Sequence, residues 1–175
     1  MKPVLASASL CLVLFAGATQ HAHAENPAES RQKIEAVIKA FDKAITDKDK
    51  EAFMRLFLRE NITWASVSTD RTLAYYNTSL KDPGERIPKV MGATPRMFIE
   101  RIAGDPEPGS ETFENVRIDT DGDIAQVWFD YSFMKGDYRS NWGKEAWHMV
   151  RTESGWKIAS VVYSTERNPE PPPKK

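Results

Sequence analysis

Cysteine is nearly absent from this 175-residue chain, and the one present, Cys11, lies inside an apolar run near the start. The rest of the chain therefore has no means of building a disulfide, a thiolate metal site or a thiol nucleophile. Histidine is almost as scarce. Of three, His21 and His23 sit just after the same run, which leaves His148 alone in the remainder. A zinc site of several histidines is excluded within one copy, and no loop motif supports a site made of carboxylates alone. No metal and no cofactor are expected. An excess of one charge is missing too: 24 Lys and Arg face 25 Asp and Glu, a net charge of -1, which gives no reason to expect a nucleic-acid or anionic-membrane partner. After the first run, no stretch reaches the roughly 18 apolar residues that cross a bilayer, and no internal repeat is present.

The apolar run from Val4 to Ala18 follows the positive Lys2 and precedes Ala22-His23-Ala24. That is the pattern of a removable export signal with a small-x-small cleavage site, so residues 1–24 are expected to leave and the product to be periplasmic or secreted, with no membrane attachment. The bulky Leu10 before Cys11 argues against a lipid-anchored cysteine. About 150 residues remain, enough for one domain with a real core. We expect a single domain over residues 25–166. The Pro-rich 167–175 cannot sustain helix or strand and is expected to be a disordered tail.

Ile34, Val37, Ile38, Phe41 and Ile45 recur at three- and four-residue steps and predict a first helix. After the polar 46–49, with Asp49 as cap, Ala52, Phe53, Leu56 and Phe57 repeat the spacing. Residues 62–67 have the β-branched and aromatic content of a strand. The stretch 68–92 shows no clear period and is expected to be a long loop of the kind that covers sites. Thr94-Pro95 starts a third helix that Gly104 can end. Beyond Glu111 the chain reads as strands joined by tight turns. Asp121-Gly122 is a hairpin signal that sets Val116 and Ile118 opposite Val127 and Ala125, all four on the core face. The alternation continues with Phe129, Tyr131 and Phe133 inward and Gln126, Trp128 and Asp130 outward.

Taken together, the segments 44–53 and 56–57, Ile124-Ala-Gln-Val-Trp-Phe-Asp-Tyr-Ser-Phe133, Gly143 and Met149-Val-Arg-Thr-Glu-Ser-Gly-Trp-Lys-Ile-Ala159 resemble the nuclear transport factor two-like superfamily. The chain is most similar to its small exported SnoaL-like and lumazine-binding-type bacterial members. The resemblance implies an α+β cone, in which three N-terminal helices pack in a strongly curved antiparallel sheet around a pocket, and frequently a homodimer through the outer sheet face. Trp128 suits such a seam. Members of that group often carry a histidine where this chain has Asn141, in Ser140-Asn-Trp-Gly143.

The candidate ligand-binding residues are Trp64, Tyr131, Asn141, Glu145, Trp147 and His148. Tyr131 faces inward and offers a hydroxyl to a ligand, or is a core tyrosine with a backbone partner. Glu145 and His148 lie on opposite faces of one strand, so only one points inward unless a bulge intervenes. The family's apolar positions, matched to Trp147 and Met149, put Asn141, Glu145 and Trp147 inside. A three-residue turn at Glu153-Ser-Gly155 would instead align Val150 and His148 with Ile158 and Ser160; the first register is preferred. The sequons at Asn61 and Asn77 are read as chance. Two functions follow, the first preferred for want of a clear acid/base pair: an exported domain that holds a small apolar or aromatic ligand in the cone, and as its alternative a cofactor-free isomerase, dehydratase or cyclase with Glu145 or His148 as general base.

Overall fold

The computed structural model describes residues 26–82 and 84–172; the expected export signal lies outside them. Helix α1 spans Pro27–Thr46. The Asn26 side chain accepts from Ala28 N and a proline opens the first turn, which suits a position whose N–H has no helical partner. Its apolar stripe, Ile34, Ile38, Phe41, Ala44 and Ile45, is buried. The helix stops where Lys48 turns left-handed, and the Asp49 carboxylate caps the short α2, Lys50–Met54, by accepting from Ala52 N at 2.8 Å. Strand β1 is Thr63–Ser68.

The stretch expected to be an uninterrupted loop contains two elements. Thr69 caps a fourth helix, α3 (Asp70–Thr78), and Val90–Gly92 forms β2 beside β1. Helix α3 lacks a clear apolar stripe, because polar bonds hold it: Glu166 accepts from Thr69 Oγ1 and from Arg71 Nε at 2.7 Å. Helix α4, Pro95–Gly104, begins at the Thr94-Pro95 cap predicted for it.

Four long strands complete the chain: β3 (Gly109–Thr120), β4 (Ile124–Lys135), β5 (Tyr138–Thr152) and β6 (Gly155–Arg167). They form a curved, open sheet in the order β2-β1-β6-β5-β4-β3, antiparallel except where β1 runs parallel to β6. The inward residues of β4, Ala125, Val127, Phe129 and Tyr131, are buried in the same core as the apolar stripe of α1, and Trp128 faces out.

The β3/β4 register differs from expectation, while in β5 the preferred facing holds and the three-residue-turn alternative is not formed. In the β3/β4 hairpin Thr120, not Ile118, lies opposite Ala125, and Ile118 lies opposite Val127. Asp121 widens the turn by accepting from both Asp123 N and Ile124 N. A bulge at Asn115 and Val116, with Asn115 at φ 53°, then reverses the inward alternation of β3 and turns Val116 to solvent. In the β5/β6 hairpin Thr152 pairs with Gly155, so the turn has two residues, and a bulge between His148 and Met149 resets the alignment. His148 does lie opposite Ser160, but on the outer face.

Past the expected domain boundary, the chain keeps to β5. Asn168 N donates to Ser140 O, Asn168 Nδ2 to Arg139 O, and the Tyr138 hydroxyl to Glu170 O. Among the described residues no helix is long and apolar enough to cross a membrane.

Candidate functional site

The concave face of the sheet and helix α4 enclose a cavity of about 340 Å³. Its apolar wall is Phe41, Trp64, Phe98 and Phe133; its polar wall is dominated by Glu111, Tyr131, Asn141, Glu145 and Tyr163. The sheet rows explain this grouping. Glu111 of β3, Phe133 of β4, Asn141 of β5 and Arg167 of β6 lie side by side across four strands, and a parallel row holds Phe129, Glu145 and Tyr163. Inward positions of adjacent strands share one face, so residues far apart in the chain meet in the cone.

Two carboxyl groups face this space from fully buried positions, Glu111 and Glu145, at 5% and 4% exposure. Glu145 accepts a hydrogen bond from Trp147 Nε1 at 2.5 Å. Burial nevertheless pushes its carboxyl up to about 7, with the Trp147 N–H pulling the other way. Glu111 is held differently. Its backbone N–H donates to Asp42 Oδ1 of α1 at 2.8 Å, but its Oε2 has no hydrogen-bond partner among the described residues. Burial first, and then the charges of Glu145 and Asp42, drive Glu111 well above the usual carboxylate range. Burial thus favours the protonated form of both carboxyls, and at Glu111 the neighbouring Glu145 and Asp42 charges push the same way. Two neighbouring carboxyls with separated affinities can divide the roles of proton donor and proton acceptor.

Tyr131 is buried, and its hydroxyl is occupied: it donates toward Ser164 O at 3.0 Å, with Asn141 Oδ1 at 3.2 Å and Thr165 Oγ1 at 3.3 Å. Burial raises its pKa. This is the core tyrosine with a backbone partner rather than a free donor. Gly143 makes the contact available, because a Cβ there would stand 2.0 Å from Ser164 O. Asn141 and Trp64 line the cavity. Trp147 is fully buried in the aromatic core, 4.9 Å from Phe41 and 5.0 Å from Phe129 between ring centroids, and it touches the site through its bond to Glu145. His148 is outside. Its exposed ring pairs with Ser160 Oγ at 2.8 Å, because β5 turns Glu145, Trp147 and Met149 inward and His148 with its even-numbered neighbours outward. A histidine general base in the cone is thereby removed.

Glu111 was missed by the sequence reading, which treated it only as the start of the strand region. The available signal was a lone acidic residue two positions before the aromatic Phe113 on the same face; it becomes visible only once β3 is known to close the cone.

The helices packed in the curved sheet, with an internal pocket, define the nuclear transport factor two-like, cystatin-like fold. No protein-family model matches the chain and no curated protein matches it. Among solved structures, one similar to it is a nuclear transport factor two-like protein of unknown function from Shewanella baltica, 16% identical, with a TM-score of 0.57 over 82% of this chain and 99% of that one. A cystatin-like protein of unknown function from Nostoc punctiforme is 10% identical, with a TM-score of 0.56 over 85% and 98%. A candidate dehydratase of the nuclear transport factor two-like family from Streptomyces avermitilis is 18% identical, with a TM-score of 0.57 over 82% and 100%. At such identities the likeness establishes the fold, and the chemistry has to be argued from the cone itself.

Proposed function

We propose that the cone binds a small apolar or aromatic carbonyl compound and moves a proton on it without a cofactor. The observation that carries this reading is the pair of buried carboxyls, Glu111 and Glu145, facing one cavity, with Glu111 Oε2 unpartnered. A buried carboxyl without full hydrogen bonding costs the fold several kcal/mol, and a groove that merely held an apolar ligand has no use for two. In the proposed step the Glu145 carboxylate takes a proton from the carbon beside the carbonyl. The electron pair of that C–H bond becomes the C=C bond of an enolate, the C=O π pair moves onto the oxygen, and the Glu111 O–H donates a hydrogen bond to that oxygen. Return of the proton from Glu145 to another carbon gives isomerisation; its transfer instead to a β-hydroxyl, which departs as water as the C=O re-forms, gives dehydration, and either way the Glu145 carboxylate is restored. The dehydratase name of the Streptomyces protein is consistent with this class.

A second reading, a binding domain without chemistry, draws support from Tyr131, whose hydroxyl is committed to the protein, and from the aromatic wall. The two are separated by incubating the protein with tetralones and cyclopentenones in D₂O and following deuterium uptake beside the carbonyl by NMR. Uptake that disappears in Glu145→Gln supports the base; binding without uptake leaves only the pocket. The expected export and the homodimer through the Trp128 face belong to the same proposal. On the outer face Trp128, Ala146, Val162 and Ala65 stand in one row across four strands, and Trp128 and Val162 are 37% and 39% exposed.

A further inference from the structure

Two guanidinium groups line the cone in addition to the carboxyls, and neither is neutralised. Arg101 comes from the last turns of α4, and Arg167 closes the inner-face row that begins at Glu111. Arg101 lies over the Phe98 ring, 5.8 Å from its centroid, and Arg167 over the Tyr75 ring at 4.2 Å. Among the described residues neither side chain makes an ion pair or a side-chain hydrogen bond; Arg167 contributes only its backbone N–H, to Thr72 Oγ1. The arginines elsewhere that meet acids, Arg71 with Glu166, Arg96 with Glu60 and Arg151 with Asp123, show what pairing looks like in this protein. A cation–π contact restrains where a guanidinium sits without using its N–H groups as hydrogen-bond donors, which leaves them able to grip an anion.

The other charges around the cavity do not cancel this pair. Lys135 is bound to Asp105 at 2.6 Å, and Lys48 Nζ donates to Asp105 O, so Asp105 is already served. Burial disfavours the charged form of Glu111. Glu107, itself already engaged, remains at the rim, and burial disfavours the charge of Glu145, against two arginines. Neutral donors and acceptors, Ser140, Asn141, Thr165 and the Tyr163 hydroxyl, fill the wall between the arginines and Glu145.

Resting on the reading of the cone as a small-molecule pocket, we propose that its ligand is an organic anion: a compound with a flat apolar body against Phe98, Trp64 and Phe133, and a carboxylate gripped by Arg101 and Arg167. The anionic end anchors the molecule at the arginines, and the body reaches the Glu111 and Glu145 floor. A bidentate carboxylate contact to arginine supplies both orientation and affinity, so such a compound enters in one direction.

The test is calorimetric and needs no turnover. 2-Naphthoate and its neutral isostere 2-naphthamide are titrated into the full exported chain and into Arg101→Gln, Arg167→Gln and the double variant, with circular dichroism to confirm folding. The naphthoate is expected to bind at least about tenfold more tightly than the amide, the contribution typical of a charge-assisted contact, and to lose that advantage in the double variant while the amide changes by less than about twofold. Equal affinity of the two compounds for the wild-type chain overturns the anion proposal and leaves the pocket standing. Failure of both to bind overturns the anion proposal together with the pocket. Preference for the naphthoate combined with absent deuterium exchange would sustain the anion proposal and defeat only the base chemistry.

Discussion

Replacing Glu145 by glutamine should make the protein more stable, and by an amount that depends on pH. The carboxyl of Glu145 stands at about 7 in the folded protein against 4.5 for an ordinary glutamate, because burial penalises its charge. At about 1.4 kcal/mol per pH unit, this difference is worth roughly 3 kcal/mol, as an order of magnitude. Below pH 4.5 the folded and unfolded chains both hold the proton, and the group contributes no pH dependence. Between 4.5 and 7 the unfolded chain releases its proton while the folded chain keeps it, so stability falls as pH rises. Above 7 both are ionised and the full penalty is present. Glutamine preserves the acceptor for Trp147 Nε1 and never ionises. Urea unfolding of the two proteins should therefore give similar stabilities near pH 4.5 and a gap of roughly 3 kcal/mol favouring Glu145→Gln at pH 8.5, or about 6–12 °C in Tm for a domain of this size. Glu111, raised by burial and by its neighbours, adds a slope of the same sign in both proteins. Adding Glu111→Gln should flatten what remains. A gap that does not grow by at least about 1 kcal/mol between the two pH values would refute the assignment of Glu145 as a buried, reluctantly ionised acid.

Trp147→Phe removes the one hydrogen bond that favours ionised Glu145, and at roughly 1.5–3 kcal/mol for a bond to a charged group it should raise the carboxyl by a further one to two pH units, read from the ¹³C side-chain shift of labelled glutamate. Gly143→Ala puts a Cβ 2.0 Å from the Ser164 carbonyl oxygen; β6 must move, Tyr131 loses its acceptor, and a loss of about 1–3 kcal/mol is expected in urea melts. Trp128→Glu should leave the fold intact and shift sedimentation from dimer to monomer, while an unchanged sedimentation coefficient would exclude the outer-face seam. Fusing residues 1–24 to a reporter that is active only outside the cytoplasm should give activity, and its absence would end the export assignment.

Much of this fold could be read directly from the chain. The stripe of α1, the Asp49 and Thr94 caps and the inward alternation of β4 are local, and each rests on a period or a single capping side chain. The placement of α3 was not legible, since Thr69, Arg71 and Thr72 gain their meaning only beside Glu166, nearly a hundred residues away. Registers suffered for a related reason. A bulge at Asn115 in β3, or in β6 opposite the His148–Met149 step, leaves no period behind, yet each one reverses which face the following residues of its own strand occupy.

From residue order alone it followed that the chain has almost no thiol or imidazole chemistry, that its second half is a run of antiparallel strands, and that Glu145 and His148 could not both face inward. Which of those two did, and whether it had a partner, was decided by tertiary structure. The curvature of the sheet carries β3 around until Glu111 stands in the same cavity as Glu145 and Arg167, and the aromatic core then excludes water from the two carboxyls. A carboxyl's affinity for its proton depends on that exclusion and on neighbouring charges, and both are properties of the closed cone rather than of any segment of the chain.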